Sequence, residues 1–452
     1  MSALQVCVDV GSTWTKAMLV DAEATVAEAV DVDTAGGRLH CEGVLATAQH
    51  RTTVDTDVMD GVSGVVALLA GQVGTHPVAL GRPLVCSSAG GGLRLAVVGY
   101  ERVVTTEAAR RAAVSAGGRV VHLAHGQLDP EAVQRLLGSR PDVVVLTGGT
   151  DGGEGDVLLA GASVLAPALA AAGLPVVLAG NAAVAEAAEA TLRRAGVQVE
   201  RTENVLPRIG VLNPLPAREA VRAAFLRHVI GGGRLSRGRG FEAVVLAATP
   251  DAVLAGVQAL APATGGGGVL ALDVGGATTD VYSVLSQPAA DSVEADVAGL
   301  ELASRTVEGD LGVRWSAPGV AAAALAEQLE AGLLGGLDPA VLHALVQDPA
   351  RLAGDSAAED LDTDLALVAA VTAVRRHARP QGPGAPPRPL RDVTLVIGAG
   401  GVLRHGDPER ARRVLGAVCG DHAGMWHVPD AAATAVDTDH VLCVLGLLAL
   451  AR

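Results

Sequence analysis

The chain has 452 residues, too many for one hydrophobic core and enough for two domains with an inserted subdomain. Half of its residues are hydrophobic but only 2% are aromatic, with 57 glycines, so its cores are built from Ala, Val and Leu in the manner of a soluble α/β protein. A net charge of -15 argues against nucleic acid or an anionic membrane surface as the main partner, and any phosphate it binds must be gripped locally.

Val6 to Val20 reads V-C-V-D-V-G-S-T-W-T-K-A-M-L-V, an apolar strand ending in Asp9, a turn with Gly11, Ser12 and Thr13, and a second apolar strand carrying Lys16. A polar, strand-like passage runs to about Asp33, and Gly61 to Ala70 has the pattern of a helix. Pro83 to Ser87 reads as a buried strand running into S-S-A-G-G-G. A β-α-β rhythm then sets in: helix Thr106 to Ala116, strand Arg119 to Leu123, helix Asp129 to Leu137, strand Asp142 to Leu146. It continues with helix Val157 to Ala172, strand Pro175 to Ala179, helix Ala182 to Ala195 and strand Val197 to Glu200. Such alternation predicts a parallel sheet covered on both faces. Thr147 to Gly155, T-G-G-T-D-G-G-E-G, sits at the carboxyl end of one strand, where open α/β sheets place ligands, and Asp151 is read either as a site residue or as a surface turn residue.

Asn204 to Arg218 is a proline-punctuated connector into a helix over Glu219 to Ile230, and the basic run Arg234 to Arg239 reads as a solvated loop or a docking patch. Val269 to Leu285 then repeats the opening hairpin as V-L-A-L-D-V-G-G-A-T-T-D-V-Y-S-V-L: strand, Asp273, the turn Gly275-Gly276-Ala277, Thr278, Thr279 and Asp280, strand. Arg305 to Trp315 is a charged connection too polar for core. Helices are expected over Val320 to Leu334, Pro339 to Gln347 and Leu365 to His377, with a weakly structured acidic stretch at Asp355 to Asp364. Arg379 to Pro389 is rich in Pro and Gly and reads as an exposed loop. Thr394 to Leu403, T-L-V-I-G-A-G-G-V-L, is a strand ending in Gly398, Gly400 and Gly401, and Asp437 to Ala451 closes the chain as an apolar helix.

The two hairpins carry the chemistry. Glycines there let backbone N–H groups approach an anion, and a carboxylate at the strand end can hold a hydrated divalent cation against the same anion. Two such turns imply two facing domains and a metal-chelated phosphate between them. The five cysteines are scattered with no C-x-x-C pair, which predicts a reduced, cytoplasmic setting, and Cys86 reads as a buried structural thiol. The N-terminus has no signal-peptide pattern, and the apolar run Val441 to Ala451 falls short of the roughly 20 residues that span a bilayer.

The paired hairpins and the glycine-ended strand resemble the phosphate-1, phosphate-2 and nucleoside motifs of the actin, sugar-kinase and heat-shock-chaperone ATPase superfamily. That resemblance implies an α/β, two-domain actin-like ATPase fold made of ribonuclease-H-like duplicated domains, with an inserted α/β subdomain in the first half. Residues 1–230 would be the first domain with its insertion, and residues 240–452 the second domain with a C-terminal return helix. Over nearly the full chain, C-S-S-A-G-G-G-L-R (Cys86 to Arg94), T-G-G-T-D-G-G (Thr147 to Gly153), N-V-L-P-R-I-G-V-L-N (Asn204 to Asn213), D-V-G-G-A-T-T-D-V-Y-S-V (Asp273 to Val284) and R-T-V-E-G-D-L-G (Arg305 to Gly312) are similar to the glutamate mutase accessory protein family, the MutL family of adenosylcobalamin-mutase operons, unrelated to mismatch repair. The proline-rich stretch at Arg379 to Pro389 departs from that family's pattern.

The resemblance implies an ATP-dependent reactivating, chaperone-like factor for an adenosylcobalamin-dependent mutase, with ATP and Mg2+ as cofactors. Asp9 and Asp273 would hold the cation through waters. Gly11, Ser12, Thr13, Gly275, Gly276, Thr278 and Thr279 would cradle phosphates, and Gly398, Gly400 and Gly401 would admit the nucleoside. Lys16 is read either as a neutraliser of developing phosphate charge or as a solvated lysine, and Asp151 and Glu308 are candidates for activating water. The implied partners are the mutase and ATP or ADP, with no nucleic acid and no membrane; self-association into a homo-oligomer is compatible with the sequence. The loops Gly231 to Gly240 and Arg379 to Pro389, with their arginines, are the candidate surfaces for an acidic patch on that mutase. A small-molecule kinase of the same fold and a nucleotide-binding scaffold without turnover are the alternatives. A cobalamin carrier is disfavoured, since no D-x-H-x-x-G sequence occurs.

Overall fold

The computed structural model describes residues 4–11, 13–23, 30–33, 37–89, 93–100, 109, 119–225, 227–228, 235–236, 240–286, 302–329, 338–348, 355–380, 387–421, 423 and 425–452. Ser12, Gly90 to Gly92 of the C-S-S-A-G-G-G-L-R motif, the helix expected over Thr106 to Ala116 apart from Ala109, and most of the loops Gly231 to Gly240 and Arg379 to Pro389 lie outside these residues.

The chain opens with the hairpin β1 (Leu4–Val10) and β2 (Trp14–Asp21), then β3 (Val30–Asp33), β4 (Arg38–Cys41) and β5 (Val44–Arg51). Helix α1 (Val58–Gln72) leads to β6 (Leu84–Ser87). An inserted unit comes next, with β7 (Arg94–Gly99), β8 (Arg119–His125), α2 (Pro130–Gly138), β9 (Val143–Leu146), α3 (Asp156–Ala172), β10 (Val176–Leu178), α4 (Ala182–Arg194) and β11 (Val199–Arg201). Helices α5 (Pro214–Phe225) and α6 (Gly240–Val244) return the chain to β12 (Val245–Ala248), which runs into α7 (Thr249–Leu260). The second half holds β13 (Gly268–Val274), β14 (Thr279–Val284), β15 (Ala303–Glu308), α8 (Ala317–Ala326), α9 (Pro339–Gln347) and α10 (Ser356–Ala378). It ends with β16 (Val393–Ala399), α11 (Gly401–His405), α12 (Pro408–Cys419), β17 (Ala433–Val436) and α13 (Val441–Leu450).

Two sheets share one strand arrangement. The first runs β12-β6-β1-β2-β5 and the second β15-β14-β13-β16-β17, extended by β4-β3. In each, a central strand pairs antiparallel with its hairpin partner and parallel with the strand on its other side, β1 with β2 and β6, β13 with β14 and β16. This repetition is the duplicated, two-domain actin-like fold, and the third sheet, β11-β10-β9-β7-β8, is the inserted α/β unit, parallel throughout.

Strand alternation fixes the layers. Val6, Val8 and Val10 face α1, α5 and the inserted sheet, while Cys7, Met18, Val20 and Cys86 on the opposite face pack on Ala252 of α7 and on Cys443, Val444 and Leu447 of α13. The same two helices send Leu254, Val257, Val441 and Leu445 to Val269, Ala271, Tyr282 and Ile397 of the second sheet. They are therefore sandwiched between the domains. Their crossing depends on two glycines: a Cβ at Gly256 would lie 1.8 Å from the Leu442 carbonyl oxygen, and one at Gly446 would lie 1.7 Å from that of Ala252.

Several local expectations change. The helix expected over Glu219 to Ile230 is α5, which starts at Pro214 and packs Ala217, Val221 and Phe225 into the core between the first and inserted sheets, while α7 packs between the first and second sheets. Arg305 to Trp315 is not a solvated connection at its start, because Arg305 is buried in β15 with its guanidinium on Asp280 Oδ1 at 2.9 Å and over the Tyr282 ring. The acidic stretch Asp355 to Asp364 is the cap and first turns of α10: Asp355 accepts from the Ala358 N–H, and Asp360, Asp362 and Asp364 pair with Arg410, Arg314 and Arg413. No described helix is long and apolar enough to cross a membrane.

Candidate functional site: a cleft between the two hairpins

Both hairpins turn in the same way. Gly11 N–H donates to the Trp14 carbonyl at 3.0 Å, and Gly275 N–H donates to the Thr278 carbonyl at 2.9 Å. A Cβ on either glycine would meet that same carbonyl at 2.8 or 2.9 Å, so a side chain cannot enter without opening the turn. The glycine N–H groups are thus spent on closing the turns. The turn carbonyls are held as well, Gly11 O by the Thr52 hydroxyl at 2.8 Å, and Gly275 O and Gly276 O by the N–H groups of Val313 and Arg314 at 3.1 and 2.8 Å. These bonds hold both turn glycines in place.

The two turns open on one cleft of about 580 Å³. From the first come Asp9, Gly11, Thr13, Trp14 and Lys16; from the second come Asp273 and Gly275. Gly400 and Gly401, at the end of β16, complete the wall, and Gly400 has φ +97 with Val274 O 2.2 Å from where a Cβ would stand. That backbone approach is open only to glycine.

Residues that the motifs did not single out line the same space. Thr249, at the start of α7, donates to Asp9 Oδ1 at 2.6 Å, and Ser88 sits where β6 leaves the sheet, its N–H on Val10 O at 2.9 Å. Arg404 and His405 come from α11, Asp437 and His440 from the start of α13. Asp437 accepts from the N–H groups of Val441 and Leu442 at 2.7 and 3.3 Å and so caps α13, and its carbonyl takes the Arg404 Nε–H at 2.9 Å. His440 has φ +57, a conformation rare outside glycine, Asn, Asp and His. Of these, Ser88 lies in the C-S-S-A-G-G-G-L-R motif and Asp437 opens the helix expected at the end of the chain, while Thr249, Arg404, His405 and His440 belong to no motif.

The cleft's charges act on one another. Burial, then the neighbouring Asp280 carboxylate, raise the Asp273 carboxyl above its ordinary value, while Arg404 and Lys16 pull it back. Burial, then Arg404, Lys16 and His405, push the His440 imidazole down to about 2, so it is neutral at pH 7. Burial and Arg404 also lower His405. Positive and negative groups are thus interleaved around the cleft: Lys16 stands opposite Asp9 in the β1–β2 register, and Arg404, Asp273 and Asp437 line the same space.

Of the residues expected from sequence, Asp9, Gly11, Thr13, Lys16, Asp273, Gly275, Gly400 and Gly401 are brought together here. Gly276 lines an adjoining hollow of about 440 Å³ on the far side of Gly401, with Val402, Thr363, Glu359 and Arg410. Thr279 is buried with its hydroxyl on Leu311 O at 2.7 Å, and Thr278 gives its carbonyl to the turn. Gly398 faces the core, where a Cβ would crowd Leu403 and Leu415. Asp151 belongs to the inserted sheet, its Oδ1 taken by the Ala182 N–H and the Asn204 amide at 2.9 Å each. Glu308 pairs with Arg376 at 2.8 Å; burial, only partly offset by that arginine, raises its carboxyl. Neither lines the cleft.

A model of the family described as "MutL protein" matches residues 5–452. The chain belongs to the MutL protein family. A relative of this MutL-family chain, the "Protein MutL" of Clostridium tetanomorphum, is 33% identical over 463 residues, covering 98% of this chain and 95% of the relative. Among solved structures, an ATP-dependent caprolactamase from Pseudomonas jessenii is 15% identical over 98% of this chain and 70% of its own, with TM-score 0.39. A nucleotide-free acetone carboxylase is 12% identical over 88% of this chain, which spans 66% of the carboxylase chain, with TM-score 0.35.

Proposed function

We propose that this MutL-family chain is an ATP-dependent accessory factor that reactivates an adenosylcobalamin-dependent mutase such as glutamate mutase, binding and hydrolysing Mg-ATP between its two hairpins. The observation that carries the reading is the pair of D-x-G turns, alike in hydrogen bonding, facing one cleft floored by the two helices that join the domains. The donor set fits the cofactors. No group of three or more His, Cys, Asp and Glu side chains among the described residues could hold a metal alone, which suits a cation that keeps waters and takes its remaining ligands from phosphate.

In this reading Asp9 and Asp273 hold the cation from opposite domains, and Thr249 fixes the Asp9 carboxylate in place. The backbone after Gly11 and Gly275, with Thr13 and Thr278, receives the phosphates. Lys16 and Arg404 balance their charge, and neutral His440 offers a hydrogen bond without adding charge. Gly400 and Gly401 let the nucleoside pass close to the backbone toward the hollow beside Gly276. A cation held by Asp9 and Asp273 would supply charge that polarises a bound terminal phosphoryl group. The product of the cycle is domain closure: a ligand touching Asp9 and Asp273 at once is better held when the domains approach.

Calorimetry with Mg-ATP is the test. The wild-type chain should bind, and Asp9→Ala and Asp273→Ala should each bind at least tenfold more weakly, with phosphate release and recovery of an inactivated mutase following the same order. Unchanged binding in both variants would overturn the cleft assignment, and efficient phosphorylation of a metabolite would replace the accessory role with a kinase.

A further inference from the structure

The inserted unit holds a feature that nucleotide binding does not use. The loop after β9, Thr147 to Gly155, and the turn after β11, Asn204 to Asn213, are knitted into one platform by two asparagines and Asp151. Asn204, 2% exposed, donates to Gly149 O at 3.0 Å and Asp151 Oδ1 at 2.9 Å, and Asp151 N–H reaches across to Pro207 O at 3.0 Å. Asn181, fully buried, accepts from Gly152 N–H at 3.1 Å and donates to Gly153 O at 3.0 Å. Gly149 takes φ +71 where a Cβ would sit 2.0 Å from Glu154 O. Such a network holds backbone in one shape. The surface it presents is apolar: Ile209 is 87% exposed at the tip, with Val211 and Leu212 beyond it at 46% and, at the start of α5, Leu215 at 49%.

A solvated turn has no need of three buried or shared polar side chains to display an isoleucine. We propose that the Ile209 turn is a protein-docking surface, and that its occupant is a protein partner with an apolar pocket rimmed by basic groups. The charge argues for that chemistry. Asp151, Glu154, Asp156 and Glu203 are exposed on the platform and its flanks, against Arg208 beside the tip. A second copy of the chain, with net charge -15 and the same acidic rim, would be repelled.

The unit is also joined to the cleft at both ends. The chain leaves the first sheet for the insertion at Ser88, which lines the cleft, and returns through β12 to Thr249, whose hydroxyl holds Asp9. A ligand that moves Asp9 therefore bears on entry and exit of the docking module together. In its choice of probe the inference rests on the accessory-factor reading, with a mutase as partner.

The test measures binding of the purified adenosylcobalamin-dependent mutase to the full chain and to Ile209→Asp and Leu212→Asp, with Val78→Asp, altering an exposed valine elsewhere, as control. Mg-ATP calorimetry on each variant verifies the cleft. At least a tenfold loss of mutase affinity in the first two variants, with nucleotide binding unchanged and the control like wild type, is expected. Equal binding by all four chains would overturn the docking surface and leave the accessory role standing. If the mutase binds none of them, the client assignment fails, and a photo-crosslinker placed at position 209 in cells decides the surface. An adduct with another protein whose purified form binds wild type and not Ile209→Asp supports it; no adduct, or only a self-adduct, overturns it.

Discussion

Asp273 shows how function and stability oppose each other at a single residue. Its folded-state carboxyl is raised by burial and by Asp280, so ionising it disfavours the folded chain. The penalty is absent below the unfolded value near 3.9 and fully present above the raised folded value, so the ligand-free chain loses stability as pH rises through that window. Asp273→Asn removes the penalty. The variant should melt higher than wild type at pH 7 without ligand, match it more closely at pH 4, and be stabilised less than wild type by the same Mg-ATP concentration; thermal melts at the two pH values measure all three, and a lower melting temperature at pH 7 would count against the argument. At this scale the motifs led to Asp9, Asp273 and Gly400 in the cleft, but equally to Gly276, Thr279 and Gly398, which do not line it. The sequence was silent on Thr249, Arg404 and His440, which reach the cleft only because α7 and α13 begin, and α11 ends, there.

Among elements, the crossing of α7 and α13 constrains the fold most tightly. Gly256 and Gly446 each admit the backbone of the other helix, and that reciprocal contact carries both the packing of the domains and any movement between them. Gly446→Ala should destabilise by about 3 kcal/mol, the upper end of overpacking costs, since the added methyl meets a carbonyl and not a flexible side chain. Urea unfolding measures it, and a change below about 0.5 kcal/mol would mean that the helices can slide apart freely. Strands buried on both faces, such as β9 with V-V-V-L, were legible as apolar runs between turn signals. β5 was not, because its alternating half-buried pattern V-L-A-T-A-Q-H-R has too few large apolar residues to show a period of two. The early turns of α10 were hidden for a related reason: their acids look disordered until Arg314, Arg410 and Arg413 arrive from other elements.

Across the whole molecule, the layers run from the inserted unit through the first sheet, the paired helices α7 and α13, and the second sheet to α10. The cleft lies between the sheets, with the helix pair as its floor, so drawing Asp9 toward Asp273 must rotate the domains about α7 and α13 while the Ile209 platform moves with the first. A nucleotide changes this equilibrium only by binding the closed form better, and linkage then requires a docked partner to change nucleotide affinity by the same factor. Trp14 reports the event, being 40% exposed at the cleft wall under the Arg51 guanidinium. Mg-ATP should shift the intrinsic fluorescence and move the radius of gyration toward the roughly 22 Å of a compact chain of this length. Trp14→Phe should reduce the fluorescence change while the scattering change persists, the remainder coming from Trp315, whose N–H is on Gly276 O at 2.9 Å beside the adjoining hollow. A chain saturated with Mg-ATP by calorimetry yet unchanged in scattering would bind nucleotide without closing, and closure could then not be what the partner senses.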